Sequence, residues 1–385
     1  MAAIERIAYC SVAIPLGEPI AFATGGVANR CFGLLKLTDR DGAVGLGYVY
    51  LGATPVTLVG TAVGELLAPV VLGEEAGEIE ALWQRMDAAT QLHGRAGSVR
   101  RAIALIDIAL HDLKARRADV PLHRALGSGT ATTVAAYAAG GYYGPGKGVA
   151  ELSAELAELR ALGFRAVKMK IGKFAVDIER QRVAAAREAV GADTELMLDA
   201  NNSWQDLDTA LRYLDALAPA RPHWIEEPFV HDDTDRLRAL QDRSGIAVAT
   251  GENEANPLRF VEILRSGAAA VIQPDAMVCG GITPWLGIAA SAAAYPVRVC
   301  PHAFHDLHVH LLAAIGPRGW LEFMPGERVM NFGRVITRSL EFGDGAVRLP
   351  TAAGLGFDFD ETAIARHAVG SRSGDGPWIV HSRQG

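Results

Sequence analysis

The sequence predicts an α/β protein: a closed barrel of parallel strands, preceded by a separate α+β domain. Three observations predict it. The 385 residues are too many for one ordinary small domain and suit a barrel plus a smaller unit. From Thr132 onward, eight short apolar runs alternate with helical segments, the rhythm of parallel strands joined by crossover helices. Before that point the chain shows strand patterning and then helical patterning, without the repeat.

Residues 4 to about 50 read as strands. Phe32-Gly-Leu-Leu-Lys-Leu-Thr38 alternates and runs into Asp39-Arg-Asp-Gly42, a turn that makes a hairpin. From Pro55 to Leu126 the period becomes helical. Ala102, Leu105, Ile106, Ala109, Leu110 and Leu113 share one helix face, and Pro121 and Gly127 mark the exit. Residues 1–125 therefore form the α+β domain. The barrel occupies 126–325, with strands at Thr133–Ala139, Ala166–Ile171, Glu195–Asp199, Trp224–Glu227, Val248–Gly251, Ala270–Gln273, Val297–Pro301 and Trp320–Phe323. Amphipathic stretches such as Glu151–Leu162 and Thr209–Leu217 lie between them. The Gly-rich segment 326–385 is expected to pack back on the first domain.

The active site of such a barrel lies where the strands end, because the loops there converge. Seven consecutive runs end in polar or ionisable groups although their interiors are apolar: Lys168-Met-Lys170, Asp199-Ala-Asn201, Glu226-Glu227, Glu252-Asn253, Gln273-Pro-Asp275, Pro301-His302 and Glu322. Solvated loop starts explain any one of these, but poorly explain seven in a row. Asp199, Glu226 or its neighbour Glu227, and Glu252 come from three adjacent strands. Carboxylates aimed at one point repel unless a cation lies between them, and hard oxygen donors without His or Cys favour Mg²⁺ over Zn²⁺. Adjacent strand residues face opposite ways, so only one of Glu226 and Glu227 should look inward; periodicity does not choose. Lys168 and Lys170 point the same way, and two close ammonium groups near a metal should depress each other's pKa, as a general base requires. Asp275 and His302 end neighbouring strands, where a carboxylate on one imidazole nitrogen raises basicity at the other.

Several function classes drop out. A net charge of -7 without a basic stripe speaks against nucleic-acid binding, and no apolar run is long enough to span a bilayer. Glu5 and Arg6 interrupt any leader core, and the four cysteines form no CxxC pair, so a cytoplasmic protein with reduced thiols is expected. Gly141-Tyr-Tyr-Gly-Pro-Gly-Lys147-Gly148 lacks the Ser or Thr that a phosphate loop needs after its lysine, and reads as a plain loop. Of His302, His305, His308 and His310, only His302 is expected to face the mouth.

Taken in order, Lys168-Met-Lys170-Ile-Gly, Asp199-Ala-Asn201, Trp224-Ile-Glu-Glu-Pro228, Gly251-Glu-Asn253, Pro274-Asp-Ala-Met277 with Gly280-Gly281, Pro301-His302 and Trp320-Leu-Glu322 resemble the mandelate racemase subgroup of the enolase superfamily. The resemblance extends over the first domain, through Gly42, Gly45, Gly47 and Tyr48, and fades after about residue 355. It implies a capping domain over a modified TIM barrel, (β/α)7β. It implies Asp199, Glu226 and Glu252 as ligands of one Mg²⁺, which selects Glu226 over Glu227. It also implies Lys170 as one base with Lys168 beside it, His302 with Asp275 as the opposite base, and a protonated Glu322 bonded to an enediolate. Asn201 falls beside the metal. The resemblance implies substrate contacts from Ile20, Thr24 and Val27 of the flap Pro15–Arg30 and from the retained Tyr48, while Phe22 is bulkier than the pattern and Asn29 and Arg30 suit a polyhydroxylated or second-carboxylate substrate. The expected chemistry is abstraction of the α-proton of a small carboxylate, giving racemisation or epimerisation of a 2-hydroxy acid; the alternative is dehydration of an acid sugar to a 2-keto-3-deoxy acid. Cycloisomerases of the superfamily place a lysine beyond strand six, where this chain has Met277-Val-Cys279, so the resemblance points away from them. A non-catalytic binding protein on this fold would have no use for two bases. A homo-oligomer is expected from the resemblance.

Overall fold

The computed structural model describes residues 2–370 and 376–382. Three antiparallel strands open the chain: β1 (Ile4–Phe22), β2 (Gly25–Asp39) and β3 (Val44–Gly52). The turn predicted at Gly42 joins β2 to β3. Asp39 accepts the amides of Asp41 and Ala43 there, and Gly42 has a φ of +83°, a value that favours glycine. The far end of the β1–β2 hairpin is the flap, and Ala21 bridges to Tyr143 in the loop after the first barrel strand. The predicted long helix is α1 (Gly97–Arg117), and it lies on β3. Gly45 and Gly47 make that approach possible. A Cβ at either would lie 2.1 Å from the carbonyl oxygen of Ala109 or 2.2 Å from that of Leu105.

The barrel strands are β4 (Thr133–Gly140), β5 (Ala166–Lys170), β6 (Glu195–Asp199), β7 (Trp224–Glu226), β8 (Ala247–Thr250), β9 (Val271–Ile272), β10 (Arg298–Val299) and β11 (Leu321–Phe323). Neighbours pair in parallel in the order β10-β9-β8-β7-β6-β5-β4-β11. Seven helices connect them: α2 (Val149–Ala161), α3 (Val176–Val190), α4 (Leu207–Leu217), α5 (Thr234–Ser244), α6 (Pro257–Ser266), α7 (Ile282–Ala292) and α8 (His305–Ile315). Eight strands with seven helices between them are the predicted (β/α)7β barrel. Two short strands after it, Phe342–Gly343 and Ala346–Arg348, form a hairpin added to β4, whereas Ala368–Val369 and Ile379–Ser382 return to β1 of the capping sheet.

Strand alternation divides the side chains. Tyr137, Ala166, Met197, Trp224, Ala249 and Val271, one from each of six strands, meet Cys300 in an apolar plug inside the barrel. The residues between them, among them Val167, Leu198, Ile225, Val248 and Ile272, pack outward in the main core. Two residues above the plug, the same inward column carries Lys168, Asp199 and Glu226. Alternation thus puts an apolar base beneath an ionisable mouth. The four cysteines are buried and joined by no disulfide. No helix among the described residues is long and apolar enough to cross a membrane.

The capping domain is seated on the Gly280-Gly281 pair before α7. Trp83 Nε1 donates to the Gly280 carbonyl at 2.7 Å. Asp107 of α1 accepts from the Thr283 amide at 3.0 Å and its hydroxyl at 2.6 Å, capping α7 from the other domain. A Cβ on Gly281, whose φ is +120°, would lie 2.3 Å from an Asp107 oxygen. Burial pushes the Asp107 carboxyl up to about 7, against the pull of the Thr283 bonds. Its folded pKa therefore lies above the unfolded value, and the folded state holds its proton more tightly. That contribution to stability is complete below the unfolded value of 3.8 and is lost as pH rises through about 7. Between about pH 5 and about pH 8, denaturant midpoints of the native chain should fall more steeply than those of Asp107→Asn. Equal slopes would mean that Asp107 does not titrate in this window.

Candidate active site

A cavity of about 300 Å³ lies at the C-terminal mouth of the barrel under the flap. Lys170 and Glu252 line it, while Lys168, Asp199, Glu226 and Glu322 are buried behind the lining, in places set by strand register. Lys170 stands beside Asp199 across β5 and β6, and Asp199 beside Glu226 across β6 and β7. Glu252 follows β8, just beyond Gly251. Asp199, Glu226 and Glu252 each offer an oxygen, and these lie within 4.8 Å of one another. One Glu252 oxygen, Oε2, is buried without a hydrogen-bond partner. An all-carboxylate donor set with an uncommitted oxygen fits a hard divalent cation. A second group with metal-ligating atoms this close, His231, Asp232 and Glu254, sits in the loops after β7 and β8, but Glu254 is engaged by the Asn256 amide and Arg259.

Lys168 pairs with Glu226 at 2.5 Å and Glu322 at 2.7 Å, and Lys170 pairs with Asp199. Burial works against the charge on both lysines, but the surrounding carboxylates outweigh it and move both pKa values up. The mutual repulsion expected from the spacing of the two lysines is outweighed here by the attraction of Glu226, Glu322 and Asp199, the same carboxylates whose charge a bound cation would share. Glu322 departs from expectation for the same reason. Burial favours its protonated form, yet Lys168 and then His302 bring its carboxyl below the usual range. The Glu322 Oε2 also accepts the Ala303 amide at 2.7 Å.

Asp275 accepts at 3.1 Å from His302 Nδ1, and its other oxygen accepts the Met277 amide at 2.8 Å. Burial disfavours the imidazolium, but Glu252 and Asp275 more than offset that and raise His302 to about 9. His302 lines the cavity. His305 instead packs on Phe323 with centroids 4.5 Å apart, His308 accepts the Ala276 amide and bonds the Ala303 carbonyl, and His310 bonds Leu355 and the His123 amide. Lys147 is engaged by the Tyr142 carbonyl and Glu155.

Glu227 was expected to turn away from the mouth, yet it lines the cavity with Glu252. The alternation rule stops where β7 stops. Glu227 has a φ of +41°, which swings it back, and Asn202 and Asn253 each donate to it at 2.7 Å. Asn201 lines the cavity and donates its amide to Asp199 at 2.9 Å. Of the flap residues, Thr24 reaches the cavity, as do Phe22 and Arg30, whereas Ile20 and Val27 pair across the hairpin and line a separate groove with Gly144 and Lys173. Tyr48 is fully buried and stacks on Phe332 at 4.0 Å, away from the cavity wall. Tyr50, two residues along the same strand face, lines the cavity instead. Arg101 of α1 also lines it and was missed. Its only sequence signal was a pair of arginines, Arg100 and Arg101, at the edge of an otherwise apolar helix face.

Comparison with known proteins supplies relatives along the whole architecture. Residues 5–127 match the family described as the mandelate racemase / muconate lactonizing enzyme N-terminal domain, and residues 151–363 match the enolase C-terminal domain-like family. The chain is 36% identical to a 3,6-anhydro-alpha-L-galactonate cycloisomerase of Streptomyces coelicolor, over 95% of this chain and 100% of the relative. It is 29% identical to an L-talarate/galactarate dehydratase of Salmonella typhimurium, over 94% of this chain and 90% of the relative. Among solved structures, a racemase from Streptomyces coelicolor with bound magnesium superposes with a TM-score of 0.87 at 35% identity, covering 95% of this chain and 100% of that one. Replacing a floor carboxylate, as in Asp199→Asn or Glu252→Gln, should weaken Mg²⁺ binding at least about tenfold by titration calorimetry. Unchanged affinity in both variants would place the ion elsewhere.

Proposed function

The chain belongs to the mandelate racemase group of the enolase superfamily, and we propose that it is an acid-sugar lyase that removes an α-proton and expels the β-oxygen of a polyhydroxylated carboxylate. One observation carries this reading. A lysine and a histidine, each braced by a carboxylate, stand on β5 and after β10, on different sides of one polar cavity. Asp199, Glu226 and Glu252 would hold Mg²⁺ beneath them. Bound there, the ion would supply Lewis-acid stabilisation for a substrate carboxylate and would share the carboxylate charge that raises the lysines.

Lys168, buried and held charged, places a positive group at the position where negative charge develops. The base on one face, Lys170 or His302, takes the C2 proton. The C3–O bond then breaks, and the group on the other face protonates the departing oxygen. If that oxygen is a free hydroxyl, water leaves and the enol becomes a 2-keto-3-deoxy acid. Asn201, Asn202, Asn253, Arg30 and Thr24 give the cavity hydrogen-bonding walls suited to hydroxyls. Racemisation, the first expectation from sequence, uses the same two bases, but the relatives named as dehydratases and cycloisomerases favour elimination over it.

A second reading rests on the 36%-identical cycloisomerase. If the departing oxygen is tethered in a ring, the same bond cleavage opens the ring and the product is an isomer of the substrate. Met277-Val-Cys279 spoke against cycloisomerase chemistry only for members that carry a lysine there. Incubation with acid sugars and their ring forms in D₂O with Mg²⁺, followed by NMR and mass spectrometry, separates the outcomes. Loss of water marks dehydration, and ring opening at constant mass marks the second reading. α-Deuterium without either would return the assignment to racemisation. Lys170→Ala should lower product formation by about a thousandfold, and chelation of Mg²⁺ should abolish it until the ion is restored. Activity surviving both would sink the mechanism.

A further inference from the structure

The cavity wall opposite the carboxylate floor belongs to the capping domain, and it is cationic. Arg101 projects from the first turns of α1 into this wall beside Tyr50. Its Nη1 is shut off from water and bonds to nothing, and no carboxylate among the described residues lies within 4.0 Å of its guanidinium. Burial opposes the charge, and Asp275 and Tyr50 offset it only from beyond ion-pair range. Arg100, the preceding residue, differs. It pairs with Asp87 at 2.8 Å and lies over the Trp83 ring. Arg30, on the flap, spends Nε on the Val329 carbonyl and Nη1 on the Tyr50 hydroxyl, and its Nη2 has no bonded partner.

A half-buried arginine with a water-excluded, unbonded nitrogen and no counter-ion is unfavourable in a folded protein, and its fork of donors matches a carboxylate. The carboxylate that reacts is accounted for at the floor by the cation site and Lys168. The charge missing at Arg101 must come from another part of the ligand. We propose that Arg101, assisted by Arg30, binds a second carboxylate, so that the substrate is a polyhydroxylated dicarboxylate rather than the matching monocarboxylate. This rests on the reading that the barrel mouth holds the first carboxylate.

The test compares matched probes, galactarate with D-galactonate and D-glucarate with D-gluconate, which differ only in an acid or alcohol at C6. They are titrated by calorimetry into the full-length Mg²⁺-loaded protein. At least one diacid should bind tenfold or more tightly than its monoacid. Arg101→Met should remove most of that difference while changing monoacid affinity less than threefold, and Arg101→Lys should recover part of it. Thermal midpoints of Arg101→Met should stay level or rise, because the variant relieves an unpaired charge. Absence of diacid preference, equal losses for both acids, or a drop in thermal midpoint would overturn the proposal, the last two because they describe an arginine that merely supports Asp275 or the fold. Deuterium exchange at the α-carbon is followed in parallel. Diacid preference without exchange would defeat the elimination reading and leave the subsite standing; exchange without preference would do the reverse.

Discussion

Excess buried negative charge is the constraint on which this molecule turns. Asp199, Glu226, Glu227, Glu252, Asp275 and Glu322 are gathered at one barrel mouth, most of them fully buried, against the ammonium groups of Lys168 and Lys170. Such a set persists only if each member is answered by a cation, a hydrogen-bond donor or a proton. Lys168 answers Glu226 and Glu322, Lys170 answers Asp199, two asparagine amides answer Glu227, and His302 with a backbone amide answers Asp275. Glu252 is left with an oxygen to spare. The pairings oppose the mutual pKa depression that the spacing of the two lysines suggests.

The two domains divide the labour. The barrel supplies the ionisable groups of the mouth, and strand register fixes the heights of Lys170, Asp199 and Glu226 relative to one another. The capping domain supplies the roof: Phe22, Thr24 and Arg30 on the flap, Tyr50 on β3, Arg101 on α1. Groups on the roof and groups at the mouth can face one cavity only if the two domains stay aligned. The alignment comes from a seat with no spare room, in which side chains of Trp83, Arg100 and Asp107 rest on two glycines of the barrel.

Much of this was legible in the sequence because it follows from periodicity. Apolar runs of the right length gave the eight strands, and residues at their ends gave the floor, since in a barrel the end of every strand is the same place. What periodicity does not carry was misplaced or missed. Glu227 was sent to the wrong side because alternation ceases with the strand, and a positive φ is invisible at a glutamate. Tyr48 comes from the family resemblance, and it is Tyr50 on the same strand face that reaches the cavity, because depth below the mouth is not written in a two-residue repeat. Ile20 and Val27 lie on the flap but not over the cavity, a matter of hairpin tilt. Arg101 belongs to a helix that shares the cavity with residues far along the chain, such as Val278, so local pattern holds no record of it.

Arg100 and Arg101 are consecutive on one helix, about 100° apart around its axis. The first is tied to Asp87 over Gly280 and closes the joint between domains, and the second enters the cavity. The residue types are identical, so helical phase alone tells them apart. Asp107, one further turn and a half along, clamps that phase against α7. A single-residue insertion or deletion between Arg101 and Asp107 would therefore leave the composition and charge of the helix almost untouched while rotating the cationic group out of the cavity. In this chain, the length of that stretch is as strictly specified as any side chain in it.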